Sequence, residues 1–125
     1  MIIGIGCDIV EHEMSKALNW ESNPSSLARI FSKPEIDNCP SEVQLRFLSG
    51  RFAAKEAVLK CLGIGMQDGI SFTDIEILKL VTGKPQVALM GQVKKVSEGL
   101  GINFWHISIT HTENMSFAVV IAERV

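Results

Sequence analysis

The chain has 125 residues, of which 46% are hydrophobic and 21% are charged, and its formal net charge is −2. This length and composition favour one compact domain, residues 1–125, and exclude a disordered chain. The acidic balance argues against a nucleic-acid partner, and no apolar run reaches the roughly 20 residues that span a bilayer, so we expect no membrane partner either.

The N-terminal segment, MIIGIGCDIVE, alternates in a way that predicts a β-strand over residues 2–10. It has no basic leader and meets Asp8 at once, so it does not resemble a signal peptide. In such a strand Gly4, Gly6 and Asp8 share one face. The opposite face carries Ile3, Ile5, Cys7 and Ile9. Strand glycines often mark the close approach of another backbone or a ligand, and a bulge beside a hydrogen-bonded aspartate is an equal alternative.

Short helices are predicted after this strand. HEMSKALNWE favours one helix, which SNPSS interrupts. Ser25 and Ser26 are then expected to cap a helix over residues 27–31. Ser32 is expected to cap another helix, with Pro34 near its first position.

The strongest helix pattern in the chain is SEVQLRFLSGRFAAKEAVLKCLG. Ser41 is the expected N-cap, and Gly63 and Gly65 are expected to end the helix. The apolar stripe of this helix consists of Leu45, Leu48, Phe52, Leu59 and Leu62.

The second half of the chain is richer in strands. Two β-rich runs flank the turn signal TGKP and predict a hairpin, and GQVKKVSEGLG predicts a short helix with Val93, Val96 and Leu100 inward. The C-terminal segment predicts two strands around a polar turn at residues 112–114. This order favours a small α+β domain, with a mostly antiparallel sheet packed on one long helix and shorter helices.

The three cysteines, Cys7, Cys39 and Cys61, are widely spaced and form no CxxC pair. Reduced thiols in a cytosolic protein are the simplest account, so we expect a cytoplasmic location and no structural zinc site. Cys7 and Cys61 stand among apolar residues, which favours packing over nucleophilic roles.

Glu56 and Lys60 are four residues apart on the predicted long helix and therefore share one face. An exposed ion pair of this kind is common and is worth only about 0.3–0.5 kcal/mol. Two features favour a ligand instead. Alanines around Glu56 allow close packing, and Arg51 and Lys55 repel each other unless an anion or an acid compensates.

If Asp8 and Glu56 face the same cleft, our hypothesis is that they bind a metal ion. Two converging carboxylates need a proton or a cation between them. Oxygen ligands in small number suit Mg²⁺, which shares its coordination sphere with waters and substrate phosphates. Lys60 and Arg51 would then balance phosphate charge, which implies a diphosphate substrate. The glycines of CLGIGM would let backbone N–H groups approach it.

His111 stands in SITHTEN, where a strand gives way to a turn. One face of that strand carries Ile107, Ile109 and His111, and the other carries His106, Ser108 and Thr110. A structural histidine and a phosphate or carboxylate contact both fit this position. No Ser/His/Asp order or nucleophile elbow is visible, so covalent catalysis is not predicted.

Three stretches, GIGCDIVE, GRFAAKEAVLKCLGIG and SITHTENMSFAVVIAE, together resemble the signatures of the holo-(acyl-carrier-protein) synthase family, the small bacterial-type 4′-phosphopantetheinyl transferases. FSKPEID and FTDIEI…GKP match the family pattern in the same order. The resemblance implies the 4′-phosphopantetheinyl transferase fold. It also implies transfer of the phosphopantetheine arm of coenzyme A to a serine of apo-acyl carrier protein, with release of adenosine 3′,5′-bisphosphate, in support of fatty acid synthesis.

The resemblance implies roles for individual residues and an assembly. Asp8 and Glu56 match the metal ligands of the family, so that Mg²⁺ would join them to the coenzyme A diphosphate. Glu56 and Lys60 are the catalytic candidates, and Lys60 matches the lysine that helps the departing phosphate. The family is typically a homotrimer with clefts between subunits. The candidates for coenzyme contact are Arg51, Gly63, Gly65, His111 and Thr112.

One position departs from the family pattern, because this chain has Met14 where an arginine often helps to hold the acidic carrier protein. Lys16, Arg29 and Lys33 are the remaining candidates for that contact. Two other functions stay open. One is a non-catalytic trimeric module that binds a nucleotide or coenzyme A, and the other is a Mg²⁺-dependent, pyrophosphatase-like hydrolase.

Overall fold

The computed structural model describes residues 1–20 and 22–125. In chain order its strands and α-helices are β1 (Ile2–Glu11), α1 (His12–Ala17), α2 (Pro24–Ile30), α3 (Lys33–Asp37), α4 (Gln44–Leu62), β2 (Ile75–Lys79), β3 (Pro85–Leu89), α5 (Gly91–Gly99), β4 (Phe104–His111) and β5 (Met115–Glu123). Short 3-10 turns lie at Ser41–Val43, Met66–Asp68 and Phe72–Asp74. The end of the HEMSKALNWE prediction, at Glu21, lies outside the described residues.

The strands form two antiparallel sheets. Strand β5 lies between β1 and β4 in one sheet, and β2 pairs with β3 in the other. The predicted hairpin, the C-terminal strand pair and the α+β class are therefore confirmed. No helix in the described part of the chain is long and apolar enough to cross a membrane.

Helix α4 is buried on most of its circumference. Its alanines pack against β1 and β5, and Ala53, Ala54 and Ala57 are completely buried. On another side, Leu48 joins Trp20 in a separate apolar cluster with α2 and α3. The predicted leucine stripe is therefore incomplete, because small residues supply the surface that meets the sheet.

Two glycines let β1 lie directly on the backbone of α4. A Cβ atom on Gly6 would lie 2.0 Å from the carbonyl oxygen of Ala57, and one on Gly4 would lie 2.4 Å from that of Cys61. The glycines thus mark a close backbone approach, as predicted. The register of β1 against β5 shifts between Ile2 and Gly4, so an irregularity lies beside the first glycine, but Asp8 pairs regularly with Ala118.

We expect Gly6→Ala to lower the free energy of unfolding by about 3 kcal/mol, because the added methyl group meets backbone that cannot move aside. Gly99→Ala is the matched control, since a Cβ atom there meets nothing within 4 Å. Alanine should raise stability slightly at that helical position. Urea unfolding measures both, and an equally small effect of the two substitutions would contradict the direct contact of β1 with α4.

Helix α2 begins earlier than predicted. Its first residue is Pro24, and the side-chain oxygen of Asn23 accepts a hydrogen bond from the N–H of Ser26 at 3.2 Å. Proline suits this first turn because its missing N–H would be unpaired there. Ser25 and Ser26 therefore lie inside the first turn instead of capping it.

Two further boundary predictions are wrong. Ser41 lies in a 3-10 turn, and Val43 occupies the cap position of α4 without a side-chain hydrogen bond. Leu100 is 41% exposed because it lies beyond the end of α5. The predicted cap positions at Ser32 and Gly63 are confirmed, the latter with a left-handed φ of 69°.

A buried ion pair joins α3 to α4. The ammonium of Lys55 donates to Oε1 of Glu35 at 2.7 Å, and both side chains are completely buried. The ammonium also donates to two backbone carbonyls, and the carboxylate accepts hydrogen bonds from two backbone N–H groups. Burial lowers the pKa of Lys55, and the charge of Glu35 opposes that shift. The acid that compensates Lys55 is therefore internal, and this lysine faces no ligand.

The outer face of the three-stranded sheet is apolar and exposed. Ile5, Ile9 and Phe117 lie on it, and Cys7 is exposed there as well. The packing role predicted for Cys7 is wrong, because the glycine side of β1 is the side that meets α4. Cys61 is buried as predicted, and burial raises its pKa to about 11.

Candidate active site

Strand β1 and helix α4 bring Asp8 and Glu56 to one open cavity of about 460 Å³. Asp8 lies on the face of β1 that the glycines place against α4, and Glu56 lies one helical turn before Lys60. The other lining residues are Ile9, Val10, Glu11, Met14 and Phe52. The side chains selected as metal ligands from the sequence therefore share one space.

The electrostatics of this cavity couple the two carboxylates. Burial raises the pKa of Glu56, the negative charge of Asp8 raises it further, and Lys60 opposes the shift. The structure thus holds two like charges close enough to disturb each other, and the lysine offsets only part of the repulsion. A cation between them would relieve it.

Lys60 pairs with Asp8 and not with Glu56. Its ammonium donates to Oδ1 of Asp8 at 3.0 Å and to the carbonyl oxygen of Cys7 at 2.9 Å. The hydrogen bond to Asp8 raises the pKa of Lys60. Lys60 therefore forms an ion pair from α4 to β1 instead of one along the helix face, and its side chain is still more than half exposed.

The carboxylates fit a small, hard cation. Among the described residues, no group of three or more His, Cys, Asp or Glu side chains is placed to hold a metal ion. Mg²⁺ does not need such a group, because it usually keeps several waters and binds one or two carboxylates together with substrate phosphates. Its charge would also lower the raised pKa of Glu56.

A second cavity, of about 640 Å³, lies between the N-terminal end of α4 and the turn that joins β4 to β5. His111 and Thr112, both predicted as coenzyme contacts, line it together with Arg46. A Cβ atom on Gly50 would lie 2.7 Å from Cε1 of His111, so this glycine lets the imidazole ring lie against α4.

Arg46 was not selected from the sequence. A possible signal was its position four residues before Gly50, which places a basic side chain and a bare patch of backbone on one helix face. His12 also lines this cavity and was missed, because its partner residues lie about a hundred positions away in the chain.

Three predicted coenzyme contacts do not line either cavity. The guanidinium carbon of Arg51 lies 3.8 Å from the ring centroid of Phe47, and burial lowers the pKa of Arg51. Gly63 ends α4 in a left-handed conformation. The N–H of Gly65 donates to the carboxylate of Asp68 at 2.8 Å. Their roles in binding stay predictions.

Comparisons with known proteins cover almost the whole chain. A family model described as the 4′-phosphopantetheinyl transferase superfamily matches residues 4–120. The chain is 38% identical to a holo-[acyl-carrier-protein] synthase from Maridesulfovibrio salexigens, over 99% of this chain and 100% of that protein.

Solved structures of similar fold include two holo-[acyl-carrier-protein] synthases. One is the crystal structure of holo-[acyl-carrier-protein] synthase from Neisseria meningitidis, with a TM-score of 0.88, 34% identity, and coverage of 99% of this chain and 100% of that chain. The other is Helicobacter pylori holo-[acyl-carrier-protein] synthase in complex with coenzyme A. Its TM-score is 0.82 and its identity 30%, with coverage of 95% of this chain and 99% of that chain.

Proposed function

Because this chain belongs to the 4′-phosphopantetheinyl transferase superfamily, we propose that it transfers the 4′-phosphopantetheine arm of coenzyme A to a serine of apo-acyl carrier protein. The other product is adenosine 3′,5′-bisphosphate. The observation that carries the proposal is similarity over the full chain to relatives named for this activity. We further propose one transferase domain over residues 1–125, located in the cytoplasm, that supplies holo-carrier protein for fatty acid synthesis.

We propose Mg²⁺ as the cofactor, with Asp8 and Glu56 as its protein ligands. Their shared cavity and the raised pKa of Glu56 support this assignment. When bound, Mg²⁺ would supply Lewis-acid chemistry to the diphosphate of coenzyme A.

The protein residues act by position and charge. The serine oxygen of the carrier forms a bond to the β-phosphorus of coenzyme A, and the bond from that phosphorus to the bridging oxygen breaks. The serine proton needs an acceptor, and Glu56 is our candidate because its carboxylate lies in the same cavity as Asp8 and an ionised carboxylate can accept a proton. The ammonium of Lys60 offsets negative charge on the departing phosphate. No covalent enzyme intermediate is needed.

We expect Lys60→Ala to lower kcat about 10²-fold while the KM for coenzyme A changes less, because the lost charge acts mainly in the transition state. Steady-state kinetics with apo-carrier protein measure both constants. Lys94→Ala is the control, since this exposed lysine lies 4.0 Å from Glu98 on α5 and should be replaceable. A higher KM with unchanged kcat would contradict the leaving-group role.

We propose that Lys16 and Arg29, at the ends of α1 and α2, contact the acidic carrier protein. Lys33 is a weaker candidate, because its ammonium already pairs with Asp37 at 2.8 Å. Met14 is exposed at the cavity that holds Asp8, so the position without the expected arginine borders the proposed reaction site.

We also propose a homotrimer. The support for self-association is the exposed apolar face of the three-stranded sheet, which carries Ile5, Ile9 and Phe117. Burying such a face removes apolar surface from water and is favourable. In a trimer His111 of one subunit could serve a cleft whose Asp8 belongs to its neighbour.

The proposed transfer is tested by incubating the protein with apo-acyl carrier protein, coenzyme A and Mg²⁺, followed by mass spectrometry of the carrier. We expect the carrier to gain the mass of one phosphopantetheine arm. Coenzyme binding without that gain would instead identify a non-catalytic module. Cleavage of coenzyme A in the absence of a carrier would identify a hydrolase.

A further inference from the structure

Three side chains form a continuous hydrogen-bonded chain beside the second cavity, and we call them the histidine relay: His12, Ser116 and His111. Nε2 of His12 lies 2.9 Å from Oγ of Ser116, and Nδ1 of His111 lies 2.7 Å from the same oxygen. At the far end, Nδ1 of His12 lies 3.1 Å from the carbonyl oxygen of Glu113. Ser116 is completely buried, and His12 nearly so. The proposed transfer chemistry uses neither His12 nor Ser116.

The protons of the relay can be assigned by following donors and acceptors from Glu113. Its carbonyl oxygen only accepts, so Nδ1 of His12 carries a proton and donates. In neutral His12, Nε2 is then an acceptor, and the one hydroxyl proton of Ser116 donates to it. The serine oxygen must therefore accept from Nδ1–H of His111, and Nε2 of His111 keeps a lone pair.

A competing arrangement has the Ser116 hydroxyl donating to the carbonyl oxygen of Arg46. That contact is 3.4 Å, longer than either contact with a histidine. It would also require both histidines to donate to the serine oxygen. Since Nδ1 of His12 already donates to Glu113, His12 would then have to be an imidazolium. The arrangement is therefore costly while the relay is neutral.

One added proton reverses what His111 presents to the cavity. A proton that binds Nε2 of His111 directly makes that atom a donor. A proton that settles instead on Nε2 of His12 turns the Ser116 hydroxyl toward Nδ1 of His111, which then carries its own proton on Nε2. Nε2 of His111 donates in both arrangements, so the added proton is shared between the two rings. Only the longer 3.4 Å contact from the Ser116 hydroxyl to the carbonyl oxygen of Arg46, made beside a charged His12, would leave a lone pair on Nε2.

The surroundings of the relay favour its neutral form. Arg46 and Arg51 project from α4, and Glu42 and Glu113 line the cavity. Burial lowers the pKa of His111, and the charges of Arg46 and Arg51 lower it further. At neutral pH, His111 thus presents a lone pair unless a ligand changes the balance.

We propose that His12 and Ser116 are positioning residues that hold neutral His111 as its Nδ1–H tautomer, and that an anionic phosphate ligand at Nε2 requires the relay to take up one proton. The second half rests on the proposed function, in which His111 contacts coenzyme A. It follows from hydrogen-bond chemistry, because a phosphate oxygen without a proton accepts and cannot bond to a lone pair.

The tautomers can be observed directly in the wild-type protein by long-range ¹H–¹⁵N correlation spectra, recorded at a pH above the histidine titration. We expect His12 and His111 to be Nδ1–H tautomers. His106 is the internal control, since its Nε2 lies 2.9 Å from the carboxylate of Glu123 and should carry the proton. A wild-type His111 with its proton on Nε2 would overturn the proposal.

A pair of variants tests the part played by Ser116. In Ser116→Ala, His111 should change to the Nε2–H tautomer, which free imidazole side chains prefer in water. Ser49→Ala is the matched control, because Ser49 is equally buried and its hydroxyl donates to Oγ of Ser15 at 2.8 Å instead of to either histidine. Its His111 spectrum should match the wild type. An unchanged His111 tautomer in Ser116→Ala would refute the positioning role.

Proton uptake is measured by calorimetric titration with adenosine 3′,5′-bisphosphate in buffers of different ionisation enthalpy. The wild type and Ser49→Ala should take up as much as about one proton. Ser116→Ala should take up less, because its Nε2–H already donates. Equal uptake in all three proteins would overturn the ligand half of the proposal. If the tautomers are as expected but adenosine 3′,5′-bisphosphate does not bind, the proposed proton uptake and the proposed function are both wrong. The assignment of the His111 tautomer would still hold.

Discussion

Replacing Glu56 with glutamine is expected to lower the rate of phosphopantetheine transfer in Mg²⁺ buffer by about 10²–10³-fold, and Asp8→Asn should do the same. Each substitution removes one of the two carboxylates that we assign to the metal. A bound metal stabilises transition-state charge by several kcal/mol, and about 1.4 kcal/mol corresponds to a tenfold change in rate. Steady-state kinetics with apo-carrier protein and coenzyme A measure the loss.

Stability measurements separate this loss from unfolding. Burial and the charge of Asp8 raise the pKa of Glu56 in the folded state. At any pH above the pKa that Glu56 has in the unfolded chain, its ionised carboxylate therefore lowers the free energy of unfolding. Glutamine removes that cost, so Glu56→Gln should unfold at the same temperature as the wild type or a higher one near neutral pH. Mg²⁺ should raise the unfolding temperature of the wild type and have less effect on the variant.

Glu11→Gln is the matched control for charge in the cavity. Glu11 lines the same space, but Asp8 is the acid whose charge raises the pKa of Glu56. We therefore expect Glu11→Gln to keep most of the activity. If Glu11→Gln lost as much activity as Asp8→Asn, or if Glu56→Gln turned over normally, the two assigned ligands would be wrong.

The buried ion pair between Lys55 and Glu35 should have the largest effect on stability. We expect Lys55→Met and Glu35→Gln each to lower the free energy of unfolding by about 3–5 kcal/mol, because each leaves a buried charge without its partner. The double variant should lose much less than the sum of the two. Urea unfolding of the three variants measures the coupling.

The exposed pair between Lys33 and Asp37 provides the comparison for this result. The distance between the lysine nitrogen and the carboxylate oxygen is nearly the same in the two pairs, 2.8 Å here and 2.7 Å in the buried pair. The side chain of Lys33, however, is 84% exposed. Lys33→Ala should therefore leave stability almost unchanged. If the losses in Lys55→Met and Lys33→Ala were similar, burial would not be what makes the internal pair important.

The close approach of another backbone to the glycine face of β1 could be predicted from the sequence because the signal is local, although that signal does not identify α4 as the neighbour. Glycines at alternate positions leave one face of β1 without side chains, and this lets the backbone of α4 approach the strand closely. Asp8 follows on the same face. The C-terminal cap at Gly63 was predictable for a similar reason, since a left-handed residue at a helix end favours glycine.

The partners of the charged residues on α4 could not be predicted from helix spacing. Arg51 and Lys55 looked like neighbours in need of an anion, yet Lys55 bonds to Glu35 and Arg51 stacks on Phe47. Lys60 bonds to Asp8 instead of Glu56. Spacing states which residues share a helix face, whereas the packing of other elements decides which charge each residue meets.

The histidine relay was hidden for a related reason. His12 and Ser116 are 104 positions apart and carry no motif. They meet because β1 pairs with β5 in a register that places Glu11 opposite Met115. The contact between His12 and Ser116 can be predicted only if the exact register of β1 against β5 is known. The pattern of apolar residues does not define that register.

Asp8 and Glu56 should jointly hold a divalent ion against the diphosphate of coenzyme A. A crystal structure with coenzyme A and Mn²⁺, located by its anomalous signal, would show whether they do. We predict one anomalous peak in contact with both carboxylates and with the diphosphate. Ordered coenzyme A with the Mn²⁺ peak bound elsewhere, away from either carboxylate, would contradict the account.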